Sequence, residues 1–232
     1  MVVLNELSGG RLRSMLAAGR DILECYRVLE RGGLNIVGEV LREGGTFYEW
    51  NHYPDGDIFD PESHSQHYYH AHRAEEHGHF HTFLRQPGMP KGSRPMANKS
   101  KEKWPRGKDA LSHLIAISMD GYGFPIRLFT TNRWVTGECW YRADDVVAML
   151  DLFVIDHAAP SWPVNRWVSG MIRLFQPQIA ELVIERDATI KRWRDGHPES
   201  DVLEDRQLDI TSVLDISVED QVTAVEQALG EA

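Results

Sequence analysis

The chain has 232 residues and a formal net charge of −10, with 42% hydrophobic and 26% charged residues. That composition is ordinary for a soluble globular protein, and the length suits one large domain that buries its own core without disulfides or a structural metal. The acidic balance excludes a general nucleic-acid binder, and no apolar run reaches the 18 or so residues needed to span a bilayer. Only Cys25 and Cys139 are present, far apart and in no motif, and the first residues lack a basic-then-apolar leader, so a cytoplasmic location is expected.

In chain order, Leu12, Met15, Leu16, Ile22, Leu23, Tyr26 and Leu29 form an apolar stripe that predicts a helix over 11–30. Gly32-Gly33 ends it, and Ile36, Val37, Val40 and Leu41 predict a short second helix closed by Gly44-Gly45. Residues 46–53 alternate as a strand, with a turn expected at Pro54-Asp55-Gly56. A hairpin follows over 65–84, and residues 86–109, rich in Pro, Gly, Lys and Ser, read as a long loop. A second hairpin is predicted from Leu114–Met119 and Ile126–Thr131, with Pro125 suggesting a sheet edge. Asp144 can cap a helix running through Phe153. Trp167 to Phe175 marks another, interrupted near Pro177, and a long one runs on to Gly196. Ser217 can cap a last helix carrying Val222, Val225 and Leu229.

Strands in the middle and helices at both ends predict an α+β fold with a central antiparallel sheet of hairpins. The expected organisation is one α+β domain over 1–216, including the basic loop 86–109, followed by a C-terminal helix and acidic tail over 217–232. Residues 85–108 carry eight basic residues against Glu102 alone, whereas ten acidic residues and only Arg206 follow from Glu199 onward. Both runs are expected to be solvated or to serve as docking surfaces for a protein partner.

The most informative segment is His67-Tyr-Tyr-His70-Ala-His72-Arg-Ala-Glu-Glu76-His77-Gly-His79-Phe-His81, within which most of the chain's 11 histidines crowd. On a strand, alternate residues share a face. A turn at 73–76 places His70 opposite His79 and His72 opposite His77. Opposed residues have Cβ atoms about 5 Å apart, so four imidazoles would gather in one place. Neutral imidazole suits iron, zinc, copper and nickel, and an incomplete ligand set leaves open positions for water, oxygen or substrate. His70, His72, His77 and His79 are therefore the expected ligands of one transition metal ion, iron ahead of zinc or manganese. Glu76 is a ligand or general base, and Asp55, Asp57 and Asp60 are candidate supports. His52, His64, His67 and His81 are left unassigned. Arg133, at a strand end, is a candidate catalytic residue that could fork onto a substrate carboxylate or phosphate.

His70-x-His72-x-x-x-Glu76 resembles the first metal motif of the cupin β-barrels, without its flanking glycines and with no second motif downstream. No glycine loop indicates a nucleotide cofactor, and no nucleophile elbow is present. Ser63-His-Ser-Gln66, Tyr69-His-Ala-His-Arg73, Glu76-His-Gly-His-Phe-His-Thr-Phe83 and Leu128-Phe-Thr-Thr-Asn-Arg-Trp-Val-Thr-Gly137 together resemble an uncharacterised bacterial family, a domain of unknown function. That resemblance implies a bacterial source and one intact domain, and no activity. Two readings stand. One is a metal-dependent oxidoreductase or hydrolase acting on a small molecule. The other is a non-catalytic module that uses a metal-free polar histidine face to bind a ligand or partner.

Overall fold

A computed structural model describes residues 2–42, 44–98 and 100–231; Met1, Glu43, Ala232 and Lys99 of the basic stretch lie outside the described residues. Six strands run in one antiparallel meander, ordered β1 to β6 as in the chain: β1 Tyr53–Phe59, β2 Ser65–His70, β3 Gly78–Arg85, β4 Leu111–Met119, β5 Pro125–Thr131 and β6 Ile210–Asp215. Around it lie α1 Gly9–Arg31, α2 Ile36–Leu41, α3 Arg133–Thr136, α4 Ala143–Leu150, α5 Trp162–Leu174, α6 Gln176–Gly196 and α7 Val218–Glu231. The protein is thus α+β, with an antiparallel sheet and helices at both ends.

The two faces of the sheet differ in chemistry because strand residues alternate. One row across it is Tyr69, Phe80, Ile117 and Leu128, paired strand to strand. These residues join the helices in a single apolar core, where the Phe80 ring lies 5.3 Å from the buried ring of Trp167 on α5. The facing rows are His70, His79, Ser118, Arg127 and Asp215, then Tyr68, His81, Ala116, Phe129 and Val213. Helix α1 packs on α5 and on α7, whose Val222 fills the space left by Gly19.

Four expectations change. Residues 46–52 form no strand; the first strand begins at Tyr53 and contains the Pro54-Asp55-Gly56 segment read as a turn. An edge strand with an irregular register tolerates that proline, whose missing N–H interrupts no inner ladder. Pro125 opens β5, which is an inner strand and not an edge, and its position as first residue spares the ladder. Strand β6 was not anticipated: Ile210-Thr-Ser-Val-Leu-Asp215 leaves the acidic C-terminal stretch to become the sheet's far edge. Helix α4 begins one residue before Asp144 and ends at Leu150.

Candidate metal centre

The register of β2 on β3 sets His70 directly opposite His79, and their Nε2 atoms are 2.8 Å apart. His72, just past the end of β2, turns back beside them. One nitrogen from each of His70, His72 and His79 can be chosen so that all lie within 4.8 Å of one another. Two imidazole nitrogens at a normal metal bond length of about 2.0–2.1 Å sit roughly 3 Å apart on one ion, so the His70–His79 pair already has the required spacing. His79 is fully buried and His70 nearly so, while His72 is half-exposed.

Behind the three rings, Glu76 accepts a short hydrogen bond at His79 Nδ1. A carboxylate on the far nitrogen orients an imidazole and raises its basicity as a ligand. Burial raises the Glu76 carboxyl, but its hydrogen bond and charge contact with His79 outweigh burial and hold it below the ordinary range. Burial also depresses His70, to about 2, helped by the neighbouring rings of His79 and His72; His72 and His81 are lowered for the same reasons. Those imidazoles are neutral at physiological pH, the state in which an imidazole can ligate a cation.

His77 does not join this group. The strand parity that pairs it with His72 holds only inside a ladder, and β3 starts one residue later, at Gly78. Its Nδ1 instead meets Tyr69 Oη at 2.7 Å, on the helix-covered side of the sheet. Arg133 is committed to other partners: its guanidinium pairs with Glu204 and lies 5.5 Å from the Trp104 ring centre. Of the three predicted aspartate supports, Asp57 holds His52 at 2.8 Å and Gln66 at 2.6 Å, and Asp60 accepts turn amides. His67 lies on the helix side against Asn165.

Walls that the sequence did not reveal complete the site. Trp50 sits at positive φ, 73°, with its N–H on the Ala71 carbonyl, and its exposed ring stacks on His72 at 4.3 Å. His52 stacks on Tyr68 at 3.6 Å and meets His70 edge-on. At the deep end His81 Nδ1 contacts His113 Nε2 at 3.0 Å, and the other His81 nitrogen is buried without a partner. The His113 backbone N–H donates to the fully buried Glu138, whose carboxyl burial pushes up to about 7.

Gly78 is the backbone feature on which this geometry depends. A Cβ there would come within 2.6 Å of the His70 carbonyl oxygen and 2.5 Å of Tyr69 Oη. Gly78→Ala is therefore expected to push the two strands apart at the His70–His79 pair, costing about 1–3 kcal/mol in chemical denaturation, as overpacking does. Metal uptake should weaken in the same variant.

An α+β protein with three convergent imidazoles on one sheet face, and a carboxylate behind one of them, is of a kind that can hold a transition metal. The chain belongs to the family described as Domain of unknown function (DUF6969), whose model matches residues 16–216. No curated protein and no solved structure matches it.

Proposed function

We propose that His70, His72 and His79 bind a single divalent transition metal ion and that the protein is a non-haem metal-dependent oxidoreductase or hydrolase of a small molecule. The observation that carries this reading is the convergence of three imidazole nitrogens with Glu76 behind His79. Three protein ligands leave coordination positions open, the mark of a catalytic site and not of a closed structural one. Nitrogen donors suit iron and zinc, and manganese less, because manganese prefers oxygen; iron is our first assignment. Glu76 serves as the outer partner of His79 and is the group placed to take a proton near the ion. No helix of the described residues is long and apolar enough to cross a membrane. The free, buried Cys25 and Cys139 accord with a reducing cytoplasm.

The second reading has its own support. The His70–His79 and His81–His113 hydrogen bonds satisfy ring nitrogens with no ion present, as a metal-free binding face would require. Elemental analysis decides between them, on untagged protein purified without chelators or nickel resin. About one equivalent of iron, zinc or manganese is expected. A folded protein that arrives metal-free and takes up none on reconstitution would overturn the metal reading in favour of the binding module.

A further inference from the structure

We infer that Arg73 anchors the carboxylate of a small organic acid beside the metal; the inference rests on the metal reading above and names the substrate class for that site. Arg73 directly follows His72, and its guanidinium carbon lies 5.3 Å over the Phe129 ring. The same ring meets His79 edge-on at 5.3 Å, so the cation and a metal ligand share one aromatic floor.

One guanidinium nitrogen donates to Asp209 at 2.7 Å, while Arg73 Nε and the second Asp209 oxygen are both buried without a hydrogen-bond partner. A buried N–H without an acceptor is costly, and a bound oxygen anion would relieve it. Three neutral imidazoles also leave the charge of the metal uncancelled, which adds to the pull on an anion. A planar carboxylate matches the free edge of a planar guanidinium. Phosphate also bonds guanidinium edges and is the alternative against which the titration is run.

The test uses full-length protein loaded with cobalt(II), whose visible bands report changes at the ion, titrated with malonate, azide and inorganic phosphate. Malonate should shift the bands, and Arg73→Gln should raise its midpoint by at least about tenfold. The azide midpoint, which needs only the metal, should stay put. Asp209→Asn frees the guanidinium and should lower the malonate midpoint, which keeps the inference testable if the Arg73 variant does not fold. A malonate midpoint unmoved by Arg73→Gln, one raised by Asp209→Asn, or tighter binding of phosphate would overturn the inference while leaving the metal reading intact. Failure of the parent protein to take up cobalt would overturn that reading and this inference with it.

Discussion

His72→Ala combined with His79→Ala is expected to abolish metal retention, and the two single variants should separate binding from folding. His72 lies at the mouth, half-exposed beneath an exposed indole, and makes no inner hydrogen bond. Its loss alone should cost about 1 kcal/mol of stability, the scale of an aromatic contact. It should still weaken metal binding by more than about a hundredfold, since losing even an outer partner of a ligand costs 10–100-fold. His79 is different. It is fully buried between His70 and Glu76, and alanine there strands the Glu76 carboxylate without its partner. Leaving a buried carboxylate without its hydrogen-bond donor costs about 3 kcal/mol. Metal content by mass spectrometry, set beside urea unfolding midpoints, gives both numbers. A stable double variant that keeps one equivalent of metal would remove these two histidines from the ligand set.

Acidification is expected to destabilise the protein from pH 6.5 downward. Burial depresses His67 to about 4, and burial with the Arg186 charge depresses His113 to about 3, against 6.5 in the unfolded chain. As pH falls through that window, the unfolded chain takes up protons that the folded state refuses. Each histidine then costs about 1.4 kcal/mol per pH unit, down to its own folded value. Glu138 acts in the opposite direction. Its folded value, about 7, lies above 4.5, so its contribution is complete below pH 4.5 and is lost as pH rises through 7. The net fall between pH 6.5 and 4.5 is therefore at least about 1.4 kcal/mol per unit, a large fraction of a typical 5–15 kcal/mol stability. Glu138→Gln removes the opposing contribution and should steepen the fall to about 2.7 kcal/mol per unit. Urea midpoints taken from pH 7.5 to 4.5 measure both slopes; a flat profile would contradict the buried, neutral state of His67 and His113.

The face-to-face placement of His70 and His79 was legible in the sequence because alternation on a strand and one short turn suffice to specify it. The helices were legible for the same reason: their apolar stripes repeat locally. What escaped depends on distance along the chain. Strand β6 hides in an acidic stretch, and only pairing with β5, some eighty residues earlier, makes it a strand. His77 was misplaced by extending strand parity one residue beyond the ladder. Arg73 was read as part of a turn, since neither Phe129 nor Asp209 is near it in sequence. His113 belongs to no motif, and only the pairing of β4 with β3 brings it against His81. Residues 46–52 have strand alternation but instead supply Trp50 and His52 as walls.

The meander bears on the order in which the molecule assembles. Strands β1, β2 and β3, and again β4 and β5, pair with their sequence neighbours over short loops. Such local contacts form in microseconds, ahead of pairings between distant segments. Helix α1 is synthesised before the sheet yet rests on α5 and α7, more than a hundred residues downstream. The β2–β3 hairpin that carries His70 and His79 can thus reach its register before the opposite face of the sheet is sealed. A nascent chain would present these two imidazoles to a cation while its N-terminal helix still waited for a partner.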